Sequence, residues 1–131
     1  MKNQLIEDSN EEAVQNINGT WSLTKFHKNN ISIDRSDPKF IPSLMVDQDE
    51  MKIGGRDGCN QIFASLSKLD SEEITIGIIG GTKMSCKMKI SYDTDYRNFL
   101  RATKKYKIDN TYLILLDAED NKLLEFKRNN I

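Results

Sequence analysis

Three side chains in this sequence are of types that could carry covalent chemistry or hold a metal: Cys59, Cys86 and the single histidine, His27. A cysteine nucleophile needs a base beside it, and nothing in the spacing places His27 near either cysteine. Zinc takes four ligands, or three and a water, so these residues are the bare minimum, and no Cys-x-x-Cys pair is present. We therefore predict that the protein is not an enzyme and needs neither metal nor cofactor.

The two cysteines leave two interpretations open. In an oxidising compartment, a Cys59–Cys86 bridge would stabilise the fold by about 3 kcal/mol because it closes a loop of the unfolded chain. In a reducing compartment, both would be free thiols that pack as small apolar side chains. The geometry of the fold decides between them, since sequence spacing does not determine the distance between two Cα atoms.

The cysteines lie in two glycine-rich stretches, residues 53–63 and 80–86, which hold five of the seven glycines. In the first stretch, residues 56–58 read as a turn between two segments in which apolar and polar residues alternate. This predicts two strands joined by a tight turn, with a bulge or a close backbone approach at Gly54 and Gly55. Asn60 follows the turn, where its short amide can hydrogen-bond neighbouring backbone groups.

The second stretch follows a β-branched run at residues 74–79, and we expect Gly80 and Gly81 to end that strand. Residues 82–86 then form a short connection that leads toward a helix. Two such strand exits could bring the two cysteines face to face.

The remaining elements are strands and one convincing helix. A strand at residues 19–26 directs Trp21 and Leu23 to one face, and three closing strands are expected at residues 106–108, 112–117 and 122–127. The helix is expected at residues 93–103. One face of it is apolar, with Tyr92, Tyr96, Phe99, Leu100 and Thr103, whereas Arg97 and Arg101 are predicted to lie on a solvated outer face.

These elements predict an α+β fold in which a curved, mainly antiparallel sheet of seven or eight strands forms a partly open barrel against one helix. The 131 residues are enough for one domain. We place it at residues 17–128, after a polar, acidic and disordered leader at residues 1–16.

The overall composition limits the partners that we expect. Charged residues make up 30% of the chain but cancel to a net charge of −1. A nucleic-acid-binding domain would show a basic excess, so we expect no nucleic-acid partner. No apolar run approaches the 18 or more residues of a transmembrane helix. No export signal is visible at Met1, which leaves the compartment open.

Several short motifs in this order resemble the META/HslJ domain family, from about residue 17 to residue 127. They are Gly19-Thr20-Trp21, Gly58-Cys59-Asn60, Thr82-Lys83-Met84-Ser85-Cys86, Phe99-Leu100 and Tyr112-Leu113-Ile114-Leu115. The residues that carry the motif are Gly58, Cys59, Asn60, Thr82, Met84 and Cys86. This chain has Lys83 where the family often carries arginine, and Asp95 or Tyr96 where the family often carries a glutamate.

The resemblance implies a small bacterial protein of the cell envelope or of the stress response, often a lipoprotein, without established enzymatic activity. Its partners would be other envelope proteins. Its location would be the periplasm or the outer membrane, to which it would be anchored if an export signal has been removed. An alternative function is the binding of a small apolar or lipid-like ligand inside the open barrel, lined by Trp21, Tyr96 and Phe99.

Overall fold

The computed structural model describes residues 16–86 and 91–129. Apart from Asn16, the predicted leader at residues 1–16 lies outside the described residues. The described residues form nine strands and one α-helix. The strands are β1 (Gly19–Phe26), β2 (Ser43–Asp47), β3 (Lys52–Arg56), β4 (Gln61–Leu69), β5 (Ile74–Ile76), β6 (Gly80–Gly81), β7 (Lys105–Asp109), β8 (Tyr112–Leu116) and β9 (Lys122–Arg128).

All nine strands belong to one antiparallel sheet that curls into a nearly closed barrel. The strand order is β5-β4-β3-β2-β1-β9-β8-β7, and β6 pairs with β4 beside β5. The two end strands, β5 and β7, face each other across a seam. Backbone hydrogen bonds from Ile74 N to Lys104 O and from Tyr106 N to Glu72 O cross this seam. The predicted fold class is therefore confirmed, although the strand count exceeds the seven or eight that we expected.

The helix α1 (Asp93–Ala102) packs its apolar face on the barrel core, as the sequence predicts. The fully buried residues on this face and beside its ends are Tyr92, Tyr96, Leu100 and Thr103. The ring of Phe26 lies 5.4 Å from that of Tyr92 and 6.1 Å from that of Phe99. Among the described residues, no helix has both the length and the apolar character that crossing a bilayer requires.

The turn at residues 57–60 joins β3 and β4 in a hairpin, and one of the two glycines of β3, Gly55, allows a close backbone approach. Gly54 pairs with Phe63 and Gly55 pairs with Ile62, so the pairing keeps its register through both glycines. A Cβ atom on Gly55 would lie 2.2 Å from the carbonyl oxygen of Ser43 in β2. Of the two possibilities that the sequence offered, Gly55 therefore serves close approach, and neither glycine forms a bulge.

The expectation that Gly80 and Gly81 end the preceding strand is wrong. β5 stops at Ile76, and the two glycines form β6, which pairs with Ile62 and Phe63. A Cβ atom on Gly81 would lie 2.4 Å from the carbonyl oxygen of Gln61, so β6 can pair this closely with β4 only because Gly81 has no side chain. β6 therefore carries residues 82–86 alongside the start of β4.

Candidate functional site

The turn between β3 and β4 is built around the carboxylate of Asp57, which is fully buried. One of its oxygen atoms accepts hydrogen bonds from the backbone N–H groups of Cys59, at 2.9 Å, and Asn60, at 2.7 Å. Gly58, between Asp57 and Cys59, has φ +98°, and a Cβ atom there would lie 2.9 Å from the carbonyl oxygen of Phe40. The aspartate and the glycine together determine the conformation of this turn.

Arg97 of α1 donates a hydrogen bond to the second carboxylate oxygen of Asp57 and forms an ion pair with it. Only 25% of the Arg97 side chain is exposed. The prediction that Arg97 lies on a solvated face is therefore wrong. Helical periodicity places its side chain at the edge of the apolar face, but nothing in the sequence shows that a buried carboxylate meets it there. The pair joins the helix to the turn.

Asn60 connects the turn to the second glycine-rich stretch. Its side-chain oxygen accepts hydrogen bonds from the Thr82 hydroxyl, at 3.0 Å, and from the backbone N–H of Met84, at 2.6 Å. The Thr82 hydroxyl in turn accepts from the N–H of Gln61, at 3.1 Å. The sequence predicted hydrogen bonds from Asn60 to neighbouring backbone, whereas its side-chain oxygen binds a segment more than twenty residues away.

A disulfide bridge joins Cys59 to Cys86, with their Cα atoms 5.7 Å apart. Cys59 is buried and Cys86 is partly exposed. The six motif residues named from the sequence, from Gly58 to Cys86, thus lie together at one end of the barrel. Among them Thr82 and Met84 are exposed, Met84 with 54% of its surface, although the backbone of Met84 is held by Asn60.

Tyr96 lies next to this cluster and is fully buried. Burial, and secondarily the negative charge of Asp57, raises the pKa of the Tyr96 phenol well above its ordinary value. The hydroxyl therefore stays protonated and donates a hydrogen bond to the carbonyl oxygen of Ser43, at 2.8 Å. This bond ties the helix to β2.

An open cleft of about 760 Å³ lies beside the motif residues. Its lining is mixed, with Asp57, Asn60 and Arg97 on one side and the exposed residues Lys83 and Met84 on the other. Among the described residues, no group of three or more histidine, cysteine, aspartate or glutamate side chains has an arrangement that could hold a metal ion. The polar groups of this cleft are largely engaged with one another.

His27 and two of the three proposed ligand-lining residues, Trp21 and Phe99, lie elsewhere. The Nε2 atom of His27 is 2.9 Å from a carboxylate oxygen of Glu125 in β9. Trp21 is fully buried, and its indole N–H donates to the carbonyl oxygen of Ile17, at 2.8 Å. Tyr96 is likewise buried, and Phe99 is partly buried against Phe26. The three aromatic residues are thus part of the packed core.

The model of the META domain family matches residues 13–130 of this chain, which is most of its length. The chain belongs to the META domain family. The match includes the two groups of motif residues, around Cys59 and around Cys86, which the structure brings together. No curated protein matches the sequence.

Three solved structures share the fold of this META domain. An NMR structure of a protein from Burkholderia xenovorans has a TM-score of 0.69 and 18% identity, and the match covers 94% of this chain and 88% of that one. A second NMR structure has a TM-score of 0.61 and 20% identity over 89% and 92% of the two chains. A crystal structure of a DUF4847 family protein from Bacteroides vulgatus has a TM-score of 0.58 and 16% identity over 92% and 99%. At these identities the likeness shows the fold alone.

Removing the bridge of this META domain is expected to lower its free energy of unfolding by about 3 kcal/mol, because the unfolded chain regains the freedom of the loop between residues 59 and 86. Urea unfolding of the Cys59→Ala/Cys86→Ala variant measures the loss. Chemical reduction of the unmodified protein should produce a similar loss, whereas the same reductant should leave the variant unchanged. A variant as stable as the oxidised protein would contradict the expectation.

Proposed function

We propose that this META domain is a non-enzymatic accessory domain of the bacterial cell envelope, which acts by binding or stabilising other envelope components. Its location would be the periplasm or the outer membrane. The family assignment supports a domain without an assigned biochemical role, and two of the solved structures with this fold come from bacteria. A stress-associated role stays a prediction of the family resemblance.

The observation that carries this proposal is the Cys59–Cys86 bridge. Disulfides persist in the periplasm and outside the cell, whereas the bacterial cytoplasm keeps thiols reduced. The bridge joins the turn after β3 to the segment after β6, and Asn60 adds hydrogen bonds between the same two segments. A cytoplasmic protein would lose the covalent part of this connection, so the fold favours an oxidising compartment.

The bridge also supports a role without catalysis. Both cysteines of the chain are in it, so a Cys–His nucleophile would not exist while the bridge is intact. The single histidine is engaged with Glu125. A domain organised in this way would work through its surface rather than through a reacting side chain.

The test is to express the protein from its own gene, separate the cytoplasmic and envelope fractions, and label free thiols with a maleimide polymer after acid quenching. The expected result is protein in an envelope fraction that takes up no label until it is reduced, and then two labels per chain. Protein found in the cytoplasmic fraction with both thiols labelled would overturn the proposal. The Cys59→Ser/Cys86→Ser variant controls for labelling of other side chains, since the chain has two cysteines.

Binding of an apolar ligand inside the barrel has no specific observation in its favour. The side chains of Trp21 and Tyr96 are fully buried, and each has its polar atom hydrogen-bonded to backbone. A ligand would have to displace packed side chains to reach them, at the cost of the core contacts that they make. This alternative stays a prediction.

A further inference from the structure

A second cleft, of about 510 Å³, lies on the outer surface of the barrel, where the segment between β1 and β2 folds back over the sheet. Four of its lining residues are basic: Arg35, Arg56, Lys127 and Arg128. None of the described residues that line it is acidic. Because the whole chain carries a net charge of −1, this local excess of positive charge is a property of the fold and not of the composition.

Strand register places two of these cations at the ends of one row across four neighbouring strands. Lys127 of β9 pairs with Ser22 of β1, Ser22 pairs with Ser43 of β2, and Ser43 pairs with Arg56 of β3. Directly paired residues point to the same face of a sheet, so two hydroxyl groups lie between a lysine and an arginine. The row spans three strand spacings, or about 14 Å. Arg35 reaches the same cleft from the segment above and donates to the carbonyl oxygen of Thr24, at 3.2 Å.

In the part of the chain that the structure describes, none of the four basic residues forms an ion pair. The side chain of Arg56 donates one hydrogen bond, to the carbonyl oxygen of Cys59 at 3.0 Å, and its buried Nε has no hydrogen-bond partner among the described residues. Because Nε is shielded from solvent, an acceptor in the cleft can reach it only after the guanidinium turns outward.

Arg128 differs from the other three. Its guanidinium carbon lies 4.1 Å from the centre of the Trp21 ring, and its NH1 group donates to the carbonyl oxygen of Asn18, at 2.9 Å. It is therefore committed to the core and to the start of β1. The side chains that remain for a ligand are those of Arg35, Arg56 and Lys127, together with the Ser43 hydroxyl, which accepts from the Arg56 N–H and keeps its own hydrogen to donate.

We propose that this cleft binds a phosphate-class oxyanion, held by Arg35, Arg56 and Lys127 with the hydroxyl of Ser43 between them. A phosphoryl group fits better than a single carboxylate, because it offers more charge and more acceptor oxygens to three cations on different sides. A guanidinium group can donate two parallel hydrogen bonds to one phosphate, and the lysine ammonium adds a point charge. The source would be a free phosphoryl compound or the headgroup of an anionic lipid, both of which present the same chemistry.

The experiment measures binding of inorganic phosphate by NMR titration, and binding of phosphatidylglycerol vesicles by co-sedimentation with phosphatidylcholine vesicles as the blank. Lys127→Gln and Arg35→Gln remove one cation each from exposed positions. Lys107→Gln is the matched control, because Lys107 is also an exposed lysine on a strand but lies outside the cleft. Urea unfolding of each variant checks that the fold is retained.

Saturable phosphate binding that Lys127→Gln and Arg35→Gln each weaken by about tenfold, and that Lys107→Gln leaves unchanged, would support the proposal with a free phosphoryl compound as the source. Vesicle binding with the same pattern, displaced by phosphate, would support it with a lipid headgroup as the source. Absence of saturable binding to either probe, or equal weakening by all three variants, would overturn it. This result is independent of the compartment in which the protein resides.

Discussion

Replacing Asp57 with alanine is expected to destabilise this META domain by about 4 kcal/mol. The change leaves the partly buried guanidinium of Arg97 without its buried counter-charge, with only Asp93 at 3.7 Å, and it leaves the N–H groups of Cys59 and Asn60 without their acceptor. Breaking a buried ion pair by removing one partner is among the most costly single changes in proteins. Urea unfolding of the oxidised protein measures the loss.

Two further variants divide this effect into its parts. Asp57→Asn keeps an oxygen atom for the two backbone donors but removes the charge, so it should cost about half as much. A cycle of Asp57→Ala, Arg97→Ala and the double variant should give a coupling energy of more than about 1 kcal/mol. Arg101→Ala, on the same helix but exposed, is the control and should have little effect. Additive single changes would show that the two side chains do not stabilise each other.

Gly55→Ala is expected to destabilise the domain by about 4 kcal/mol. The residue has φ +134°, which L-residues rarely adopt, and its new methyl group would lie 2.2 Å from the Ser43 carbonyl oxygen. Backbone strain and overpacking each cost about 1–3 kcal/mol, and here both act at one position. Because the obstacle is backbone in a neighbouring strand, it cannot rotate away.

The adjacent glycine provides the matched control. A methyl group on Gly54 would meet the flexible end of the Met45 side chain at 3.2 Å, and Gly54 has no positive φ. Gly54→Ala should therefore change the free energy of unfolding by less than about 1 kcal/mol. Equal losses from the two substitutions would contradict the view that Gly55 is needed for the close approach of β3 to β2.

The elements of this fold that could be predicted from sequence are those with a strong local signal. The closing strands β7, β8 and β9 have the expected limits to within a residue or so, because alternation and turn residues bound them. Helical spacing also identified the buried face of α1 correctly. These patterns reflect burial on one side of one element, which depends little on the rest of the chain.

The parts that could not be predicted depend on which elements meet. Asp57 reads as a turn residue, and the aspartate three positions before Asn60 is typical of such a turn, but its full burial depends on α1 covering it. β6 is only two glycines long and exists because β4 offers an open edge. The cations of the outer cleft come from separate elements, and only the register brings them into one row.

The pairing of β1 with β9 also has a consequence for how the protein is made. Leu23 lies opposite Phe126, so a central contact of the barrel joins residues from the two ends of the domain. During synthesis, β1 emerges from the ribosome long before its partner exists, and the barrel can close only after β9 has been released. The nascent chain would therefore remain open while it is translated.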